Sequence, residues 1–183
     1  KTKGLEVASD FIDVECLDRF TTQSIKWLDG QAEAARNGKP FFLYLPYTSP
    51  HKPVIPMAKF RGQGKAGAYG EFMIETDWHL GRILKWLDDE KLARDTVVIF
   101  TSDNGSRARN EGGSNGPLRS TKATTWEGGQ RVPCIMRWPS QIPANQISSE
   151  LTTMMDLYPT IIKLAQCDLP RDRKIDGHDI SPI

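Results

Sequence analysis

The fold is decided by Val97-Val98-Ile99-Phe100-Thr101-Ser102-Asp103-Asn104-Gly105, an apolar run that ends in an acid, an amide and a glycine. Its four apolar residues are mostly β-branched, which predicts a buried strand. Sheets of α/β proteins place ligands at the carboxyl ends of their strands, so Asp103 and Asn104 are candidate metal ligands. Because both coordinate through oxygen, they suit Ca²⁺ or Mg²⁺ better than Zn²⁺.

Features downstream of this strand favour a site over a simple turn. Taken alone, Asp-Asn-Gly after a strand is more often a turn, since Asp and Asn cap turns and glycine supplies positive φ. Lys122 follows a loop later, and its cation suggests that the metal shares its site with an anion. Glu127-Gly128-Gly129 comes next. We interpret Glu127 as structural, because the two glycines favour a role in fixing the loop through backbone hydrogen bonds.

Helical and strand patterns alternate along the chain, which predicts an α/β fold with a mostly parallel sheet sandwiched by helices. His79, within the second helix, is interpreted as a packing or solvent-facing residue. The predicted elements are helices over residues 17–35, 69–92 and 150–165, the last interrupted near Pro159 with Asp156 as a cap, and strands over residues 41–47, 96–101 and 132–137.

Composition excludes several classes of protein. The 183 residues could form one domain, 38% of them are hydrophobic, and the formal net charge is only +1. No basic face suggests nucleic acid, and no apolar run approaches the ~20 residues of a membrane span. Three cysteines are too few for a disulfide framework. No signal peptide is visible, although a chain that begins at Lys1 could have lost one.

The motifs around the central strand resemble those of the formylglycine-dependent sulfatases. One position departs from the family, which often has glycine where Ser120 stands. The resemblance covers nearly the whole chain and rests on five spaced motifs: Ser49-Pro-His-Lys-Pro53, Thr101-Ser-Asp-Asn-Gly105, Asn115-Gly-Pro-Leu-Arg119, Lys122-Ala-Thr-Thr-Trp-Glu-Gly-Gly-Gln-Arg-Val-Pro133 and Asp176-Gly-His-Asp179.

The resemblance implies an alkaline-phosphatase-like fold and an arylsulfatase-like hydrolase of sulfuric esters. Asp103 and Asn104 would hold Ca²⁺, with Mg²⁺ the lesser alternative, while Lys122 and His51 would contact the sulfate and leaving-group oxygens. A lone histidine is more often structural, so His51 owes its role to its position in the family motif. The partner would be a sulfated small molecule or glycan, and the location periplasmic or secreted.

The nucleophile motif of the family, C-x-[PSA]-x-R, is absent from this sequence. Cys167-Asp-Leu-Pro-Arg171 has the right spacing, but Leu169 occupies the small-residue position and the segment follows the metal motif rather than preceding it. The Asp-Asp pair and the Lys-x-His element of the family are also missing. We therefore expect residues 1–183 to be the C-terminal portion of a sulfatase catalytic domain, incomplete at the N-terminus and inactive alone. The formylglycine would lie in the missing part.

Two alternatives remain open from the sequence. Phosphodiesterases and phosphonate hydrolases of the same superfamily commonly carry an Asp-His pair at the strand end, since imidazole suits transition metals. Asn104 favours the calcium site instead. A non-catalytic sulfatase-like module would also fit the missing nucleophile.

Overall fold

A computed structural model describes residues 7–107 and 112–182 of the chain. Five α-helices and two strands are present in these ranges, with short 3-10 turns at Asp13–Glu15, Ala58–Phe60 and Ala93–Asp95. No helix among the described residues combines the length and apolar character that crossing a membrane requires. In chain order the elements are α1 (Cys16–Asp29), α2 (Ala32–Arg36), α3 (Gly67–Asp89), β1 (Val98–Thr101), α4 (Glu127–Gln130), β2 (Cys134–Arg137) and α5 (Met154–Leu164).

The core lies between α1 and α3, which pack along their apolar faces. Polar contacts flank this core: Arg82 pairs with Asp18 at 2.9 Å, and the Trp86 indole donates to Asp29 Oδ1 at 2.7 Å. Burial recurs every three or four positions, as expected for two amphipathic helices. The buried residues on these faces are Leu17, Thr21, Ser24 and Leu28 of α1, and Phe72, Glu75, Thr76, His79, Ile83, Trp86 and Leu87 of α3.

The two strands form a small antiparallel sheet. Val98 pairs with Arg137 and Thr101 with Cys134. The α/β class is confirmed, but the pairing seen differs from the mostly parallel sheet that the alternation predicts. Parallel neighbours need a crossover, usually a helix, whereas the only helix between β1 and β2 in the described residues is α4, with four residues. The chain therefore returns along β1 in the opposite direction.

Residues 41–47 were predicted as a strand, but they form no strand with any residue in the described part of the chain; we call them the extended segment because their side chains alternate as in an extended chain. Their side chains still alternate: Phe41, Leu43 and Leu45 pack against the helical core, whereas Phe42 and Tyr44 are 63% and 74% exposed. The apolar pattern thus predicts the alternation of packed and exposed side chains correctly, but not a strand. It carries no information on whether a neighbouring strand is there to accept its hydrogen bonds.

Two helix predictions need correction. The helix predicted over residues 17–35 is observed as two helices, because the chain turns at Gly30 between α1 and α2. The last helix begins at Met154 and runs through Pro159 without interruption. Thr153 is its N-cap, and Asp156 completes a capping box at the third helical position rather than capping a second piece.

The Asp156 carboxylate also holds the C-terminal segment. It accepts the His178 backbone N–H at 2.8 Å and the Thr153 N–H at 2.6 Å, and these bonds lower the pKa of Asp156 below its ordinary value. Pro159 has no N–H to donate to the Met155 carbonyl, and Gly177 packs directly against that carbonyl, where a Cβ would collide. Within the Asp176–Asp179 motif, Gly177 and the His178 backbone are thereby explained by packing against α5.

Candidate functional site

Asp103 and Asn104 lie in the loop that leaves β1. The loop is fixed by backbone groups: Gly105 N–H donates to the Gly129 carbonyl at 3.0 Å, and the Ser102 hydroxyl donates to the Asn104 carbonyl at 3.2 Å. Within residues 7–107 and 112–182, no hydrogen bond or ion pair engages the Asp103 carboxylate or the Asn104 side-chain amide. Asp103 is exposed and Asn104 half-buried, so both side chains remain available to a ligand.

Glycines bring the segment after β1 against the lysine loop, the segment of residues 117–126 that carries Lys122. A Cβ at Gly105 would collide with the Gly128 carbonyl, and a Cβ at Gly128 would collide with the Ser120 carbonyl. Gly128 N–H donates to the Arg119 carbonyl at 2.8 Å. The prediction that Glu127-Gly128-Gly129 fixes the loop is therefore explained by close backbone approach, which only glycine permits here.

Asn115 joins the two loops through its side chain, a role that the sequence analysis did not predict. Its Oδ1 accepts the Ser106 backbone N–H at 2.8 Å. Its Nδ2 donates to the carbonyls of Ser106 and Ser120, at 2.9 and 3.0 Å. The Lys122 N–H also donates to the Ser106 carbonyl, at 3.1 Å. The segment after Asp103-Asn104 is thus held directly against the lysine loop.

The backbone around Lys122 is unusual. Ser120 and Ala123 have φ values of +69° and +68°, a left-handed conformation that costs a non-glycine residue roughly 1–2 kcal/mol. This explains why glycine suits the position of Ser120. The Lys122 side chain is half-buried, and its ammonium group has no hydrogen bond or ion pair with any described residue.

Arg119, three residues before Lys122, is engaged within the lysine loop. Its guanidinium lies 3.5 Å from the centroid of the Trp126 ring, within the range of a cation–π contact. Arg119 and Lys122 therefore have different surroundings, although both are cations of one loop.

His51 lies in the histidine loop, residues 48–57, which follows the extended segment 41–47. The side chain is exposed, and its Nδ1 lies 2.9 Å from the Lys52 carbonyl oxygen. Among the residues that the structure describes, no hydrogen bond or ion pair joins His51 to Asp103, Asn104 or Lys122. The structure thus brings three of the four predicted site residues into one loop cluster and leaves His51 on a separate loop.

Helix α3 presents buried polar groups toward the histidine loop. Glu75 and His79 are 0% exposed, and Glu75 Oε1 lies 3.7 Å from His79 Nε2. Burial, reinforced by the Arg82 cation, lowers the pKa of His79 to about 4, and burial raises the pKa of Glu75. The sequence signal for this pair was two ionisable residues on the apolar stripe of an amphipathic helix.

The donors present fit part of a hard-cation site. Asp103 and Asn104 offer oxygen atoms, which Ca²⁺ and Mg²⁺ prefer, but Ca²⁺ normally takes six to eight of them. No group of three or more His, Cys, Asp or Glu side chains that could hold a metal occurs in the described ranges. Cys167 is exposed just beyond α5, with its thiol 3.4 Å from the Ala165 carbonyl oxygen.

Comparison with known proteins gives concordant matches. A family model described as "Sulfatase" matches residues 13–167. The chain is 43% identical to mouse steryl-sulfatase over 152 residues, which are 79% of this chain and 24% of that protein. It is 42% identical to dog N-acetylgalactosamine-6-sulfatase over 166 residues, 89% of this chain and 31% of that protein. The chain therefore spans about a quarter to a third of the length of these relatives.

Solved structures agree with the sequence matches. The PsFucS1 sulfatase from Pseudoalteromonas sp. superposes with a TM-score of 0.85 and 31% identity, covering 96% of this chain and 36% of that one. Ps i-CgsB in complex with k-i-k-neocarrahexaose superposes with a TM-score of 0.81 and 29% identity, covering 91% of this chain and 37% of that one.

Proposed function

The chain belongs to the sulfatase family, and from that premise we propose that the intact protein hydrolyses sulfate monoesters. The observation that supports this most directly is the pair of joined loops. The segment that follows Asp103 and Asn104 is hydrogen bonded to the lysine loop, through both Asn115 and the Lys122 backbone. The proposed metal site and the proposed anion site would thereby be adjacent.

The metal ligands of the proposed site would be Asp103 and Asn104. We expect Ca²⁺, or less readily Mg²⁺, because both side chains coordinate through oxygen. A bound cation of this kind supplies Lewis-acid stabilisation of negative charge on sulfate oxygens. The remaining ligands and the nucleophile, for which the family pattern predicts formylglycine, would come from outside residues 1–183. We accordingly propose that this segment is the C-terminal portion of the catalytic domain.

Two cationic or proton-bearing side chains would act on the ester. The Lys122 ammonium would contact the sulfate oxygens, where a fixed positive charge stabilises the charge that develops during transfer. His51 would contact the leaving-group oxygen and donate a proton to the departing alcohol. Because Lys122 is held by strained backbone on both sides, its position would be set before the substrate binds.

The substrate class is proposed only broadly. A sulfated small molecule fits the likeness to steryl-sulfatase, and a sulfated glycan fits the likeness to N-acetylgalactosamine-6-sulfatase. We expect a periplasmic or secreted protein from the family pattern. The phosphodiesterase alternative is less favoured, since Asn104 replaces the histidine expected at that position.

The proposal is tested by the activity of the intact protein, co-expressed with a formylglycine-generating enzyme. We expect hydrolysis of aryl or sugar sulfates and much slower hydrolysis of aryl phosphates. A preparation that carries Asp103→Ala provides the background, because it should lose the activity while a contaminating hydrolase would not. Preference for phosphate across the panel would overturn the proposal.

A further inference from the structure

The histidine loop is tied to helix α3 near both of its ends. Near its start, the Thr76 hydroxyl lies 2.6 Å from Ser49 Oγ and 2.8 Å from the Phe72 carbonyl oxygen. The Thr76 hydroxyl has one proton, which it can donate to Ser49 Oγ or to the Phe72 carbonyl oxygen. At the end of the loop, the Met57 backbone N–H donates to Glu75 Oε2 at 2.8 Å. Adjacent residues of one helix therefore hold both ends of the loop.

These two anchors are shielded from water. Glu75 is 0% exposed and Thr76 only 5% exposed, so the helix side of each hydrogen bond is shielded from solvent, while Met57 and Ser49 on the loop side are half-buried. The other oxygen of Glu75 and the facing His79 Nε2 have no hydrogen-bond partner among the described residues. Keeping a carboxylate in this position is costly, and packing alone does not require it, because an apolar side chain of similar size would fill the same space. The bond to Met57 is what the carboxylate adds.

The loop between the anchors is stiff, so the anchors determine where its tip lies. Pro50, Pro53 and Pro56 each fix one backbone dihedral near −65°. The His51 N–H donates to the Thr48 carbonyl at 3.0 Å, which adds a turn at the tip. A shift at either anchor is therefore carried to His51 instead of being absorbed by flexible backbone.

We propose that Thr76 and Glu75 are positioning residues that set the place of His51 in the reaction, an inference that rests on the proposed function. Neither side chain reaches the substrate, since both are buried under the loop. They act through Ser49 and Met57, whose positions fix the ends of a proline-stiffened segment. A displacement of about 1 Å in a catalytic group can cost on the order of 10² in rate, so small changes at these anchors should be visible in turnover.

The test compares isosteric and conservative variants in the intact protein. Thr76→Val removes the hydroxyl at constant shape, and Thr76→Ser restores it. Glu75→Met removes the acceptor for the Met57 N–H, and Glu75→Gln keeps one. We expect Thr76→Val and Glu75→Met to lower kcat on sulfate esters by about tenfold or more with KM within about twofold, and Thr76→Ser and Glu75→Gln to restore most of kcat.

A matched control separates positioning from general loss of stability. Thr160 is also a buried threonine, whose hydroxyl bonds to the carbonyl four residues earlier and accepts the Ile180 N–H at 3.0 Å, remote in sequence from the histidine loop. Thr160→Val should lower the melting temperature and leave kcat unchanged. An equal loss of kcat in Thr160→Val, or normal kcat in both Thr76→Val and Glu75→Met, overturns the inference.

Hydrogen exchange across residues 48–57 supplies a readout that does not depend on activity. Exchange should quicken in Thr76→Val and Glu75→Met and stay at the wild-type rate in Thr76→Ser and Glu75→Gln. If the wild-type protein hydrolyses no sulfate ester, the proposed function fails and with it the role of His51 in that reaction. Exchange then decides whether Thr76 and Glu75 hold the loop: quickening confined to residues 48–57 supports this, and unchanged exchange overturns it.

Discussion

Lys122 and Arg119 lie three residues apart in the same loop, yet their side chains have different surroundings. The Arg119 guanidinium stacks on Trp126, and its carbonyl accepts the Gly128 N–H. The Lys122 ammonium has no such partner in the part of the chain that the structure describes. A cation without an internal partner is free to serve a bound anion, whereas a stacked one contributes to the shape of the loop.

We predict that Lys122→Ala in the intact enzyme lowers kcat by about 10²–10³ and barely changes the melting temperature, because it removes one electrostatic contact to the transition state. Arg119→Ala should do the reverse, lowering stability more than turnover. Steady-state kinetics and thermal unfolding of both variants check this. Near-normal kcat and kcat/KM in Lys122→Ala would show that Lys122 does not contact sulfate.

Ser120 and Ala123 allow a second prediction at the residue scale. Replacing either with glycine relieves a left-handed conformation that costs roughly 1–2 kcal/mol, while the added freedom of the unfolded chain costs about 0.5–1 kcal/mol. We expect each variant to be more stable by about 0.5–1 kcal/mol in denaturant unfolding. Ala144→Gly is the matched control, since Ala144 is exposed and lacks positive φ. It should be neutral or destabilising, and a gain there equal to that of Ala123→Gly would rule out relief of strain.

Individual residues also show what a sequence does and does not determine. The sequence alone allowed us to predict Asp103, Asn104 and Lys122 as site residues, because an apolar run, a residue type and a family motif are all local features of the chain. The role of Asn115 could not be predicted from the sequence, since its three hydrogen bonds depend on how closely two loops approach in space. The role of Glu75 was hidden in the same way, because its partner Met57 lies 18 residues earlier in the chain.

At the scale of elements, the predictions succeed where periodicity decides and fail where pairing decides. The stripe that predicted a helix over residues 69–92 corresponds to α3, because burial of every third or fourth residue is a property of one segment. The direction of β1 against β2 depends on the path of the connection between them, which no local pattern records. The side chains of residues 41–47 alternate for the same local reason, and for the same non-local reason these residues form no ladder with any described residue.

Helix α3 carries a pH-dependent contribution to stability. His79 faces Glu75 on its own helix, and Arg82, Lys59 and Asp18 supply the nearby charges that act on its pKa. The folded pKa of about 4 lies below the ordinary 6.5, so the unfolded chain binds more protons between these values and stability falls as pH drops through this range. Burial raises the pKa of Glu75 above its ordinary 4.5, so above that pH the folded chain binds more protons than the unfolded chain. The contribution of Glu75 to stability therefore falls as the pH rises through this range.

We predict that the free energy of unfolding of the wild type falls relative to that of His79→Gln as the pH drops from 7 to 4. The change in this difference should be of order 3 kcal/mol. Glu75 is present in both proteins, so its own pH-dependent contribution largely cancels in the comparison. Urea unfolding of the intact protein at several pH values measures this. Thr21→Val, which removes a buried hydroxyl that does not titrate, should shift stability equally at every pH. A constant difference between wild type and His79→Gln would contradict the lowered pKa.

On the scale of the whole molecule, the described chain contains one small helical core and several apolar side chains that this core leaves exposed. Phe42 and Tyr44 lie on the outer side of the extended segment, and Ile135 of β2 is likewise exposed. The joined loops that hold Asp103 and Lys122 extend from one end of a two-stranded sheet. The loops that carry the candidate ligands are thus organised, among the described residues, beside a sheet of only two strands.

The last prediction concerns the metal affinity of this chain as a whole. Two oxygen-bearing side chains fall well short of the six to eight ligands of Ca²⁺, and the described residues contain no further cluster that could complete the set. We therefore expect isothermal titration of the 183-residue chain to show no tight Ca²⁺ site, while the intact protein binds Ca²⁺ far more strongly and loses that affinity in Asp103→Ala. Circular dichroism of the chain is the control, because only a folded sample bears on the question. A submicromolar dissociation constant for the folded chain, abolished by Asp103→Ala, would show that the remaining ligands lie within residues 1–183.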